Sequence, residues 1–172
     1  AVAPGDAGVP ANANGGGMTL WTCPPASPCH ASAPVPVQAG ASLAVAPDFA
    51  ERPILVAYQP AQAVVSNDGG RSFSTMRLPD GTSQVTWIAL ASNDQATSRW
   101  LVGRRGQNTI LEFSPSLDGT WHQVDYGLPQ ITASGGRVVP IGGHRALYLS
   151  DRGGFVCTND DGGHWQPRCP AA

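Results

Sequence analysis

The chain has 172 residues and a net charge of −2, with charged residues at only 13% and no lysine among them, against about 25% charged in ordinary globular proteins. So sparse and balanced a charge excludes a nucleic-acid footprint and a polybasic membrane patch, and no apolar run approaches the ~20 residues of a membrane-spanning helix. One domain is the default at this length, with a core that takes roughly 70% of the unfolded surface out of water.

Residues 1–17 are rich in Ala, Gly, Pro and Asn without periodicity, which predicts a flexible lead. Ala1-Val2-Ala3-Pro4 lacks the charged and apolar regions of an export signal, so any such signal has been removed or was never present. Met18 to Thr22 predicts an outer strand, over 18–23, of a unit whose inner strands are missing; a Pro/Ala/Ser-rich connection covers 24–41. Within it, Cys23-Pro24-Pro25-Ala26-Ser27-Pro28-Cys29-His30 is a stretched form of the Cys-x-x-Cys-His haem signal. Five intervening residues in place of two favour a disulfide beside a bystander histidine.

Two later segments align without a gap. Ile54 to Tyr58, a linker Gln59 to Gln62 and Ala63 to Val65 lead into Ser66-Asn67-Asp68-Gly69-Gly70-Arg71-Ser72-Phe73. Ala146 to Ser150, a linker Asp151 to Gly154 and Phe155 to Cys157 lead into Thr158-Asn159-Asp160-Asp161-Gly162-Gly163-His164-Trp165. Each predicts a β-hairpin, a turn and a further strand, and both turns read hydroxyl, any, Asp, any, Gly, any, any, aromatic. Between them, the middle unit predicts strands at Val85 to Leu90, Trp100 to Gly103, Thr109 to Phe113 and Trp121 to Val124; the last unit predicts Arg137 to Ile141 and Trp165 to Arg168 around its hairpin. A looser copy of the turn runs from Ser114 to Trp121, ending Asp118-Gly119-Thr120-Trp121, and a degenerate one from Asn12 to Trp21. The window Ile54 to Val65 is apolar, but Pro60 and its β-branched residues argue for strands over helix.

The terminal aromatics Trp21, Phe73, Trp121 and Trp165 stand 52, 48 and 44 residues apart, a period that suits one four-stranded blade per repeat. Full blades are expected at about 42–79, 84–128 and 131–169. In each turn the Asp carboxylate accepts backbone N–H bonds, Gly reaches positive φ at little cost, the hydroxyl bonds locally and the aromatic packs over the turn. Ser66, Asp68, Gly70, Phe73, Thr158, Asp160, Gly162 and Trp165, with Asp118, Gly119 and Trp121 of the looser copy, are therefore assigned to scaffold and not to catalysis or metal binding.

With these motifs the chain, over about residues 12–169, resembles the Asp-box or bacterial neuraminidase repeat of sialidase-type and sortilin-type β-propellers and of photosystem assembly factors of similar build. The resemblance implies an all-β propeller of about three and a half four-stranded antiparallel blades, with Leu43 to Phe49 opening one blade. It also implies boxes on turns between third and fourth strands, away from any catalytic pocket. Propellers close with typically 4–8 blades, so this chain would leave two open faces and form part of a larger ring. A second copy, another protein chain or sequence cleaved from the same precursor would complete it; a compact four-bladed ring would need inner strands before residue 18.

Sialidase-like catalysis would imply an arginine cluster, a Tyr/Glu nucleophile pair and an Asp acid. Glu51-Arg52-Pro53-Ile54 carries Arg-Pro-Ile where the sialidase signature has Arg-Ile-Pro, so no role passes to Arg52. Glu112 lies in a predicted strand, Tyr58, Tyr126 and Tyr148 read as packing, and no two carboxylates are spaced as a glycosidase pair. His30, His122, His144 and His164 lack ligand spacing, so neither metal nor cofactor is expected. Linkers between second and third strands carry Arg104, Arg105 and Arg152, a rim suited to an anion or acidic glycan, or simply solvated loop charge. Four cysteines allow three connectivities; Cys157 and Cys169 flank the last turn, where a disulfide would brace the hairpin. Their even number in a Gly/Pro-rich all-β chain favours a secreted or extracytoplasmic compartment. The reading is a non-catalytic binding or assembly module; the alternatives are a fragment of a sialidase-like glycoside hydrolase and, less favoured, a haem-carrying electron-transfer subunit.

Overall fold

The computed structural model describes residues 18–23, 28–38, 40–93, 96–125, 128, 136–151 and 153–169. The predicted lead, the start of the degenerate motif at Asn12, Tyr126 and Arg152 lie outside the described residues. Among the described residues every regular element is a strand, in the order β1 (Trp21–Thr22), β2 (His30–Ala31), β3 (Ser42–Val45), β4 (Leu55–Gln59), β5 (Gln62–Ser66), β6 (Ser74–Thr75), β7 (Gln84–Ser92), β8 (Thr97–Arg105), β9 (Asn108–Ser114), β10 (His122–Gln123), β11 (Gly136–Gly142), β12 (Arg145–Ser150) and β13 (Phe155–Thr158).

These strands form consecutive antiparallel meanders, ordered β3-β4-β5-β6, β7-β8-β9-β10 and β11-β12-β13. A bridge between Cys157 and Gln166 extends the last sheet by a fourth position. The long middle hairpin runs in register from Ser92↔Thr97 outward, with a bulge between Val85 and Trp87.

Side chains alternate across a strand, so burial along each one reports which faces are covered. In β4, Leu55, Val56, Ala57 and Tyr58 are all buried, as are the residues of β9 from Thr109 to Ser114: these sheets are covered on both sides. Val56, Tyr58 and Ala63 of the first sheet pack on Ile88, Leu90, Leu101 and Ile110 of the second. The opposite face of the second sheet, Trp100, Val102, Leu111 and Phe113, packs on Val138, Ala146, Tyr148 and Val156 of the third. Each full sheet thus adds a face to its successor, and burying a large apolar side chain contributes about 1.5–3 kcal/mol.

The amino-terminal strands differ from expectation. Trp21↔Ala31 and Thr22↔His30 pair Met18 to Thr22 with a strand inside the expected connection. Val35 N–H donates to Met18 O at 2.7 Å and Ser32 N–H to Leu20 O at 2.7 Å, carrying the pairing past the two-residue strands. A disulfide joins Cys23 to Cys29 across the turn. Trp21 is a strand residue, about half exposed. Proline richness had hidden this strand: Pro34 and Pro36 flank Val35, and prolines are tolerated where no ladder N–H is needed. The hairpin covers Leu55, Ala57 and Val64 of the first full sheet through Leu20, Val35 and Val37.

Candidate functional site

The two well-matched turns are built alike. Ser66 Oγ donates to Asp68 Oδ1 at 2.8 Å and accepts the Gly70 N–H at 2.8 Å. Asp68 Oδ1 accepts the N–H groups of Arg71 and Ser72, each at 2.9 Å, while Oδ2 accepts Ser72 Oγ at 2.6 Å. In the last blade Thr158 Oγ1 donates to Asp160 Oδ1 at 2.7 Å and accepts the Gly162 N–H at 2.9 Å. Asp160 Oδ1 accepts the His164 N–H at 2.9 Å, and His164 Nδ1 lies 2.6 Å from Oδ2. The hydrogen bonds, with those of Ser72 foremost for Asp68, hold that carboxyl far below the usual carboxylate range. At Asp160 partial burial opposes the bonds from His164 and Thr158, which prevail and set it at about 2. Both acids are ionised acceptors at neutral pH, with their lone pairs taken up by the turn.

Each turn also touches the unit before it. Gly70 and Gly162 have φ of +92° and +91°, and a Cβ on them would stand 3.0 Å from Ser32 Cβ and 2.8 Å from Val124 Cβ respectively. The Trp165 indole N–H donates to Val124 O at 2.6 Å, and Trp121 donates to Arg77 O at 2.9 Å. Phe73 packs on the amino-terminal hairpin's core. The turn, its glycine and its aromatic form a clasp on the preceding blade.

The looser turn has the same length but different chemistry. Ser116 stands where Asp68 and Asp160 stand, and a buried cation takes over from below. Arg99 of β8, only 2% exposed, donates through Nη2 to Ser114 Oγ at 3.0 Å and Gly119 O at 2.9 Å. Its guanidinium lies 4.4 Å from the Trp121 ring centroid, and burial lowers its pKa to about 10, with the Asp118 charge opposing that shift. Asp118 itself is exposed. Sequence reasoning passed over Arg99; its signal was an arginine directly opposite Ser114 in the β8–β9 pairing.

Of the rim arginines, Arg105 is engaged within the chain. Its Nη2 donates to Glu112 Oε1 at 2.8 Å and its Nε to Asp80 O at 3.0 Å. Burial raises the Glu112 carboxyl and the Arg105 bond partly reverses this. Arg104 is half-buried on β8, and Arg152 lies outside the described residues. Tyr58 and Tyr148 are buried in different clusters, and burial pushes the Tyr148 phenol up to about 12, so neither is an exposed nucleophile. Among the described residues no three His, Cys, Asp or Glu side chains converge as a metal site.

On the rim that carries the clasps, a cleft of about 730 Å³ is lined by Asp48, Glu51, Arg52, Ser92, Asn93, Gly143 and His144. These come from the turns following the innermost strands β3, β7 and β11, so three consecutive blades share it. Asp48 accepts from Arg52 Nε and Ser92 Oγ, and Arg52 Nη2 donates to Asn93 O at 2.7 Å; the bonds from Ser92 and Arg52 outweigh burial and lower the Asp48 carboxyl. Asn93 Oδ1 in turn accepts the Ala96 N–H at 2.7 Å. At the far side His144 Nδ1 lies 2.6 Å from Asp161 Oδ2, and Asp161 N–H donates to His144 O at 3.0 Å.

The Asp161 carboxylate raises the His144 imidazole above 6.5. A raised folded-state value means that the pair's stabilisation is complete below about pH 6.5 and is lost as pH rises through the folded pKa. The His144 titration midpoint, followed by NMR, is expected to fall in Asp161→Asn. The melting-temperature difference between wild type and Asp161→Asn should shrink from about pH 5 to about pH 8; a gap unchanged with pH would contradict the pairing. The effect is small, since both side chains meet solvent.

No protein-family model matches this sequence, and no curated protein matches it. Solved structures do. One titled YCF48 bound to D1 peptide superposes with a TM-score of 0.56 at 18% identity, over 77% of this chain and 40% of that chain. A YCF48 from Cyanidioschyzon merolae gives a TM-score of 0.53 at 17% identity, over 77% of this chain and 38% of that one. The chain thus has the β-propeller fold, and spans about two fifths of the length of these neighbours.

Proposed function

We propose that the protein is an extracytoplasmic, non-catalytic binding or assembly module built on an Asp-box β-propeller sector. The observation that carries this reading is how its polar groups are used. The side chains that could do chemistry, Asp68, Asp160, Arg99, Arg105 and Glu112, are tied into turns and strands. What remains accessible is loop surface and apolar sheet face, the material of recognition.

The likeness to a propeller solved with a bound peptide supports a polypeptide ligand, received by the shared cleft at the ends of the inner strands. The two disulfides, Cys23–Cys29 and Cys157–Cys169, support an oxidising compartment. No cofactor is needed for this role, and the remainder of the ring would come from a second copy or another chain.

Incubation of the intact protein with a fluorogenic sialoside tests the reading against a hydrolase. No turnover above background is expected. Turnover that disappears in Arg52→Gln, the arginine lining the cleft, would overturn the binding-only role.

A further inference from the structure

Among the described residues, the large hydrophobic side chains that stay exposed are not scattered. Val139, Ile141, Leu149 and Phe155 lie on the outward face of the last sheet, with Ile141 and Phe155 half exposed at 50% and 54%. Their neighbours Val138, Tyr148 and Val156 alternate inward onto the middle blade. Trp21, Leu43 and Val45 lie at the other end. Leu43 and Val45 stand on the innermost strand β3, in register with Ala57 and Leu55. The hairpin covers Ala57 and Leu55 and stops short of β3.

The two ends are the two halves of a contact that the chain already makes twice. The outward face of blade one seats on blade two, and that of blade two on blade three. The outward face of blade three has the same strand order and alternation, and the inner strand of blade one offers the receiving side. The hairpin has the shape such a joint requires: blades radiate from an axis, converging inside and spreading outside. A two-stranded wedge with no inner strands fills the outer part of a joint while the inner strands meet.

We propose that a second copy of this chain closes the ring head to tail, its last blade seating Val139, Ile141, Leu149 and Phe155 against Leu43, Val45 and Trp21 of the first, with the reciprocal joint formed at the other side. Two heterologous joints related by a two-fold axis leave neither end open.

This inference rests on the propeller-sector reading, and the test separates the two. Light scattering coupled to size exclusion should give twice 17.8 kDa for the wild type. Val45→Asp and Phe155→Asp, each at an exposed position, should both give the single-chain mass while keeping the wild-type circular dichroism. An equimolar mixture of the two variants should regain the double mass, because the Phe155 end of one variant and the Val45 end of the other form one intact joint. A folded wild type at 17.8 kDa overturns the second-copy contact alone and leaves the module reading standing. A double mass that survives both substitutions, or a mixture that does not recover, also overturns it.

Discussion

Arg99→Ala is expected to destabilise the protein by about 3–5 kcal/mol, read as a fall in the midpoint of chemical denaturation. The side chain fills buried space beneath the Ser114 to Trp121 turn, stacks on Trp121 and donates to both Ser114 Oγ and Gly119 O. Removing it leaves a cavity and two acceptors without that donor. Ser114 Oγ keeps its bond to Ser116 O at 2.9 Å, so the loop is not abolished, but it loses its tie to the sheet. Arg99→Lys retains charge and length without the planar fork that reaches both acceptors, and should lose about 1–3 kcal/mol. An Arg99→Ala midpoint within about 1 kcal/mol of wild type would contradict the role assigned to this cation.

Gly162→Ala is expected to cost about 2–4 kcal/mol, from roughly 1–2 for a left-handed residue and about 1–3 for overpacking. At φ +91° the new methyl would meet Val124 Cβ at 2.8 Å. That atom is fixed to the backbone of the preceding blade and cannot swing aside, so the clasp itself must open. Gly69 provides the control. It has φ +74°, its nearest neighbour is Pro53 Cβ at 3.6 Å, and the equivalent position in the last turn is already occupied by Asp161 at φ +56°. Gly69→Asn should therefore cost no more than about 1 kcal/mol. Equal losses at the two positions, by thermal or chemical denaturation, would mean that backbone strain alone and not contact with the preceding blade distinguishes them.

The period of the turn motif made the strand pattern legible, because Asp, Gly and an aromatic at fixed offsets are demanded by local geometry that recurs wherever the turn recurs. The strands flanking Asp68 and Asp160 needed no tertiary information to be located. The pairing of His30 and Ala31 with β1 was not legible, since nothing in Pro34-Val35-Pro36 alternates and the strand exists because Val35 and Val37 bury against Leu55 and Val64. Arg99 was equally hidden. An arginine in a strand reads as solvent-facing until the sheet behind it is known, and its partners lie 15 and 20 residues away. The rim arginines show the reverse: Arg105 looked available in sequence, but Glu112, seven residues on, claims it. The cleft could not be read at all, for its lining comes from three turns that are distant in sequence and meet only through blade order.

The account turns on the repeated motif being a structural clasp between blades. Residue-resolved amide hydrogen exchange of the wild-type protein at neutral pH tests that most directly. The N–H groups of Gly70, Arg71, Ser72, Gly162 and His164 belong to surface turns, yet each donates to a side-chain oxygen of the motif. They should be protected to the same degree as the paired amides of β5 and β13, since they would exchange only when the blades part. Exchange at open-loop rates while β5 and β13 stay protected would show that these turns hold nothing together.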